Sequence, residues 1–505
     1  MAAPKIWDET YKTDSKRITI DPITRLEGHG KIEIFLDDDG NVSNAYWQTP
    51  ELRGFEKFCI GRRVTEMNQL TARLCGVCPG AHHMAAGKAA DACFNTKPTD
   101  TAFMIRDLFY NAHFVHSHTA HFYALAAPDF VLGPAADKSV RNVLGVVATV
   151  GLEIGAKVLR ARSNAQKIQA LLGGKATHPV LNVPGGVSQP VSKEKQKEII
   201  SLAETLVEHV KTTMAVFNSV VLENKEYVDI IANPDLFYQE VYYMSMVDEN
   251  NKSNFYNGMN RVVDQKGNEF AKYHPRDYLD HIAEASEPWT YMKFPYLKNV
   301  GYKGVVDGPD SGIYSSVPLS RMNASEGFTT PIAQEEYERF YETFKSLGVE
   351  GPVHNVLANH WARIIEMTHA AERCLENASN PDLTTGDIKT WDISPGGRGV
   401  GCVEAPRGNL THDYHCDEDG LVTSCNLIVG ATNNNGPMNM SIRSAAMGLI
   451  KNYEVSPGLL NMVEMGFRAF DPCNSCATHS LPGEMPMDVV IRDADGNIFK
   501  TISRS

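Results

Sequence analysis

Two stretches at opposite ends of the chain carry the residue types that do chemistry. Arg73-Leu74-Cys75-Gly76-Val77-Cys78-Pro79-Gly80-Ala81-His82 and Asp471-Pro472-Cys473-Asn474-Ser475-Cys476-Ala477-Thr478-His479 each hold a Cys-x-x-Cys pair with a histidine behind it. On spacing alone the four thiols fit a closed structural zinc site, a soft catalytic or redox metal such as iron or nickel, or dithiol chemistry. Zinc knuckles close small loops in small domains, whereas pairs this far apart would make everything between them the scaffold of one site. Arg73 and Asp471 ahead of the pairs, and His82 and His479 behind them, bring charge and imidazole that an all-thiolate structural site does not need. Spacing leaves all three readings open.

The elements between the pairs must bring the two ends together. Residues 17–48 alternate apolar and polar positions and turn at Asp37-Asp38-Asp39-Gly40-Asn41, which predicts a small N-terminal sheet. Inside its connection sits the charged, glycine-bearing stretch Arg25-Leu26-Glu27-Gly28-His29-Gly30. Helical spacing runs from Thr101 to Ala127, closed by Pro128, from Ser139 to Leu172, and from Ser192 to near Ile231. Residues 232–330 lose the period and read as irregular with short strands, followed by helices over Gln334–Leu347 and Asn355–Asn377. Strand-like alternation returns over Leu421–Val429, and the chain ends in a hairpin around Asp493–Asn497. The fold class expected is α+β and predominantly helical, a long central helix bundle with small peripheral sheets. No repeat or linker divides it, so one large domain is expected.

Composition sets the outer limits. A chain of 505 residues, 43% hydrophobic and 22% charged, has the make-up of a soluble globular protein with a large core. The net charge of -13 argues against nucleic acid and against an anionic membrane surface. No run of 18 apolar residues and no signal peptide is present, so the expected address is the cytoplasm. Ten cysteines are too few for a disulfide scaffold, and outside the two pairs they are scattered as Cys59, Cys93, Cys374, Cys402, Cys416 and Cys425.

The two motifs resemble the paired signatures of the nickel-iron hydrogenase large subunit. The likeness extends to Asp21-Pro22-Ile23-Thr24-Arg25-Leu26-Glu27-Gly28-His29, Arg53-Gly54-Phe55-Glu56, His118-Thr119-Ala120-His121-Phe122-Tyr123 and Glu404-Ala405-Pro406-Arg407-Gly408. Six motifs in the family's order are far more specific than one. The resemblance implies the large-subunit fold and reversible heterolytic cleavage of dihydrogen. It implies nickel held by Cys75, Cys78, Cys473 and Cys476, with Cys78 and Cys476 bridging to an iron that carries carbon monoxide and cyanide. Glu27 then takes the proton from a terminal thiolate, and Arg407 covers the open metal position with Pro406 and Asp471 in the same canopy. His82 and Thr432 belong to the surrounding shell. Glu56, His479 and the Leu427 carbonyl resemble ligands of a magnesium or iron ion.

The sequence also departs from the family pattern. His116-Ser117-His118 stands where many members have His-Asp-His, removing a canopy carboxylate. Ala431-Thr432-Asn433 lacks the hydroxyl residue that many members place ahead of the threonine. Of the three helix histidines, only His118 and His121 share a face, and a second metal site there is not expected. A quinone-site subunit of respiratory complex I is disfavoured by the complete thiol set. A hydrogen-sensing regulatory subunit, the alternative function, is disfavoured by the residues beyond His479.

Within the family the motifs look most like the cytoplasmic group, whose electrons pass to nicotinamide nucleotides, ferredoxin or heterodisulfide through flavin partners. No dinucleotide fingerprint and no further cysteine array is present, so an iron-sulfur small subunit is the expected partner. Residues 1–479 are read as the catalytic domain and 480–505 as an extension removed on maturation.

Overall fold

The computed structural model describes residues 4–478 and the backbone of 487–492 and 498–504. Its architecture is α+β and predominantly helical, a bundle of long helices with small sheets around it. The helices Asp100–Ala120, Leu152–Gly173, Lys193–Phe217 and Asn359–Ser379 form the bundle, the first and third each packing against the second and fourth. Thr99 and Ser192 start two of them, each side chain accepting a hydrogen bond at 3.2 Å from the backbone N–H three residues on. Asp100–Ala120 and Asn359–Ser379 are buried almost all round, so their polar residues, Arg106, Arg363 and Glu366 among them, face other elements rather than solvent.

Several expected boundaries shift. The helix expected over Ser139–Leu172 is two, Val143–Val150 and Leu152–Gly173, divided at Gly151, a residue that weakly supports a helix interior. Pro128 does not close the preceding helix. The chain passes through a π-helical stretch, His121–Ala126, into a short helix, Ala127–Val131, whose first turn accepts a residue without an N–H. The stretch from Ser192 to Ile231 ends its first helix at Phe217 and restarts at Lys225, where the Asn224 side chain caps Glu226 at 3.1 Å. Residues 232–330 hold a four-stranded sheet in the order Tyr314–Ser315, Tyr242–Val247, Met259–Val263, Glu269–Tyr273, and a hairpin of Ile282–Ser286 with Lys293–Leu297.

Three pieces set up the site. The N-terminal sheet, Arg17–Ile20, Lys31–Leu36 and Val42–Gln48, is antiparallel as expected and buries Ile32, Ile34 and Trp47 against Ile442, Val463 and Phe467. The helix Pro79–Cys93 crosses a meander of Gly397–Ala405, Gly408–Cys416 and Val422–Ile428. In that meander Ala405 pairs with Gly408, so Pro406 and Arg407 form the tip of a two-residue hairpin. Gly408 has φ 143°, and a Cβ there would lie 2.4 Å from the Gly430 carbonyl, so only glycine lets the tip close. At the C-terminus, Met487–Arg492 pairs antiparallel with Ile498–Arg504, while the turn expected around Asp493–Asn497 lies outside the described residues.

The hairpin tip is braced by a buried ion system. Arg321, fully buried, donates to Glu366 at 2.5 and 2.6 Å, to Glu404 at 3.2 Å, and to the carbonyls of Ser316, Ala405 and Pro406. Burial alone would raise the Glu366 carboxyl, but Arg321 holds it at about 2. Glu404, with the longer contact, is pushed up to about 7 by burial. Arg321→Leu would strand the Glu366 carboxylate in the core, at a cost of about 3–5 kcal/mol. The expected result is a clearly lower thermal midpoint in a calorimetric scan, and an unchanged midpoint would contradict this role.

Candidate metal centre

Cys78 is the residue from which the helix Pro79–Cys93 starts, with Pro79 in the first turn. Cys75 sits in the loop ahead of it, its Sγ accepting from the backbone N–H of Cys78 at 3.0 Å and of Val77 at 3.2 Å. Backbone donors at a helix start favour a thiolate. Cys473 likewise opens the short helix Asn474–Ala477, which carries Cys476. The fold brings the two ends together as expected: the four Sγ atoms lie within 4.8 Å of one another, all buried. Cys75 to Cys473 is 3.3 Å, Cys78 to Cys476 3.6 Å and Cys473 to Cys476 2.9 Å.

These separations are too long for disulfides, which need about 2.05 Å. They are also shorter than the roughly 3.8 Å edge of a regular tetrahedron built from zinc-thiolate bonds of about 2.3 Å. Burial opposes ionising Cys75, yet hydrogen bonds from Cys473, Cys476 and Cys78, with the charge of Arg407, pull its thiol well below the ordinary value. Burial pushes Cys473 and Cys476 up. Four sulfurs in one dry place cannot all ionise without a cation among them, so the donor set fits a soft metal ion.

Glu27 reaches this cluster from the N-terminal sheet. Its Oε2 accepts from Cys473 Sγ at 3.0 Å and from the Ser475 N–H at 3.1 Å. The backbone fixes the approach: Glu27 N–H donates to the Pro472 carbonyl at 3.3 Å, and Asn474 N–H donates to the Glu27 carbonyl at 3.0 Å. The next residue, Gly28, has φ 81°, and a Cβ there would stand 2.8 Å from Ser475 N. Glu27 is therefore held against one thiol of the cluster by main-chain bonds rather than by a flexible loop.

Across the cluster, Arg407 Nη2 donates to Asp471 Oδ1 at 3.0 Å, and Nη1 contacts Ser117 Oγ at 3.4 Å. Both members of the ion pair are almost fully buried. Burial works against the Arg407 charge, but Asp471 and the thiols of Cys473, Cys78 and Cys75 outweigh it and raise its pKa. Ser117 offers a hydroxyl where a carboxylate would have made a second ion pair. Asp471 takes φ 55° just beyond the helix Pro457–Arg468. The carbonyls at that helix end are held by side chains, Arg468 by His121 Nε2 at 2.8 Å and Ala469 by Arg363 Nη2 at 3.0 Å.

A small enclosed cavity adjoins Cys78, Cys473 and Cys476, with His82, Pro406, Arg407, Leu410 and Ala431 in its walls. Thr432 lies behind this wall, fully buried, its Oγ1 without a hydrogen-bond partner among the described residues. Glu56 Oε1 accepts from the Leu427 N–H at 2.9 Å, which places those two residues together, while His479 lies outside the described residues. His118 pairs with Glu366 at 3.1 Å and His121 with a backbone carbonyl, so the helix histidines do not converge on a second metal. Sequence reasoning missed Arg321, Arg363, Glu366, His412 and Tyr414. Only the last two left a usable trace, a His-x-Tyr on one face of the strand that follows Arg407.

A family model described as nickel-dependent hydrogenase matches residues 53–141 and 230–479, and one described as HoxL-like matches 17–52. An F420-non-reducing hydrogenase iron-sulfur subunit from Archaeoglobus profundus is 44% identical over 488 residues, covering 96% of this chain and 99% of that protein. The NAD-reducing hydrogenase HoxS subunit beta of Cupriavidus necator is 35% identical, covering 97% and 100%. A solved structure of an NAD+-reducing [NiFe]-hydrogenase in the H2-reduced state superposes with a TM-score of 0.84 at 36% identity, covering 92% of this chain and all of that one.

Proposed function

The chain belongs to the nickel-dependent hydrogenase family as its large, catalytic subunit, and from that premise we propose how its own residues divide the work. Cys75, Cys78, Cys473 and Cys476 would hold a nickel-iron centre, Cys75 and Cys473 as thiolate donors to nickel and Cys78 and Cys476 as donors to nickel and iron. The observation that carries this is the convergence of four buried thiols from the two ends of the chain. When bound, the centre supplies the soft, redox-active site at which dihydrogen is split heterolytically.

Glu27 accepts the proton from Cys473, the thiol it already touches. General acid-base transfer depends first on that short contact. Arg407 presents a fixed cation with N–H donors to the small cavity and Asp471 orients it, so it would stabilise an anionic ligand of the centre such as cyanide. Leu410, Pro406 and Ala431 keep that space apolar. Glu56 and the Leu427 backbone are assigned to a magnesium or iron site with His479.

Electrons leave to another chain. The six cysteines outside the centre do not gather into a second ligand group among the described residues. An iron-sulfur small subunit is the proposed partner, with flavin or iron-sulfur subunits beyond it, and NAD(P), ferredoxin or heterodisulfide as acceptor. Both relatives named above are themselves hydrogenase subunits. No helix among the described residues is long and apolar enough to cross a membrane, and a cytoplasmic address is proposed.

The test is to isolate the chain with its partner subunits and measure dihydrogen-dependent dye reduction together with the intact mass of the chain. Sustained turnover by a chain ending at His479 is expected, since residues 480–505 are proposed to be removed on maturation. A full-length chain with full turnover would show that the tail belongs to the working enzyme. Dihydrogen binding without turnover would favour a sensor.

A further inference from the structure

His82 lines the cavity beside Cys78 and Cys476 and is fully buried. Its Nδ1 lies 3.1 Å from Nε2 of His412. Nδ1 of His412 in turn lies 2.5 Å from the Tyr414 hydroxyl. His412 and Tyr414 are both fully buried and stand two residues apart on the strand Gly408–Cys416, so both side chains project from one face of it, directly behind the Arg407 tip. The chain of contacts therefore runs from the thiolate cavity into the core through three side chains.

Imidazoles in such a chain are not independent. A neutral ring has one donor and one acceptor nitrogen, so fixing the proton on one ring fixes the next. If the Tyr414 hydroxyl donates to His412 Nδ1, His412 carries its proton on Nε2 and donates to His82 Nδ1. His82 is then left with its proton on Nε2. The opposite assignment would leave His82, which lines the cavity with Cys78, Cys473 and Cys476, a lone pair on Nε2 and no proton to offer a thiolate there.

We propose that Tyr414 and His412 are positioning residues that lock His82 in the tautomer bearing its proton on Nε2, making it a hydrogen-bond donor at the thiolate cavity. The inference rests on the four-cysteine centre proposed above and extends it to two residues of the strand Gly408–Cys416. No proton is gained or lost overall; the relay sets only which nitrogen of His82 carries one. A donor at a cysteine sulfur withdraws electron density from it, so the relay tunes the electron richness of the centre.

The experiment uses the assembled enzyme with Tyr414→Phe, His412→Gln and His412→Leu, reading nickel content, the nickel electron paramagnetic resonance spectrum and kcat. Tyr414→Phe removes one hydroxyl and little volume, so it should load nickel fully, shift the spectrum and lower kcat by about 10-fold, the lower end of losses seen when such outer partners are removed. His412→Gln keeps an amide donor toward His82 and a carbonyl acceptor toward Tyr414, and should recover most of the rate that His412→Leu loses. If Tyr414→Phe keeps the native spectrum and kcat at full nickel content, the proposal is overturned. It is overturned equally if His412→Gln is as impaired as His412→Leu while both load nickel. Failure of the underlying centre is distinct, since the unsubstituted enzyme would then carry no nickel.

Discussion

A chain with Cys476→Ala is expected to lose its nickel and its dihydrogen turnover together. Cys476 sits in the only helical turn between Cys473 and Thr478, its Sγ 2.9 Å from Cys473 and 3.6 Å from Cys78, so it closes the cluster on two sides. Alanine fits the turn, so the fold should survive; what disappears is one of four donors, in the position proposed to be shared with iron. Metal binding at thiolate sites depends on the full set of ligands. The loss should match that of alanine at any of the other three thiols, with activity below detection and metal analysis showing little nickel in the purified complex. Retained activity with alanine at 476 would exclude the ligand set.

Glu27→Gln is expected to separate chemistry from metal binding. Glutamine can still accept the Ser475 N–H through its amide oxygen, and the main-chain bonds to Pro472 and Asn474 do not involve the side chain. What it cannot do is take a proton from the Cys473 thiol 3.0 Å away. Positioned general acid-base groups contribute about 10²–10⁴-fold in rate. Turnover should fall by that range while nickel content and spectrum stay native. Glu27→Asp, shorter by one methylene, should fall between the two. A Glu27→Gln enzyme that turns over at the unsubstituted rate would remove Glu27 from the proton path.

How much of this was legible in the sequence depends on the range of the interaction concerned. The thiol pairs were legible because both members of each pair lie within one turn, and spacing records them. That the two pairs meet was an expectation from their likeness, and the structure supplies the contact. Long helices with one polar face, such as Pro331–Ser346, were found within a few residues. The strands Gly397–Ala405 and Gly408–Cys416 were missed because most of their length is buried on both faces, which erases the alternation that marks a strand. Arg321, Arg363 and Glu366 were missed for a different reason. A charged residue in a sequence looks the same on a surface and in a core, and the partners of Arg321 lie 45 and 83 positions away. Glu27 stood out only through its motif, since its thiol partner is at the other end of the chain.

The central claim, that four thiolates from the two ends of the chain hold nickel, is tested most directly by X-ray absorption at the nickel edge on the purified complex, with the metal content measured in the same sample. The expected result is close to one nickel per chain, bound mainly by sulfur, with both signals lost when any one of Cys75, Cys78, Cys473 or Cys476 is replaced by alanine. Stoichiometric zinc in place of nickel, or nickel bound by nitrogen and oxygen and indifferent to those four substitutions, would contradict it.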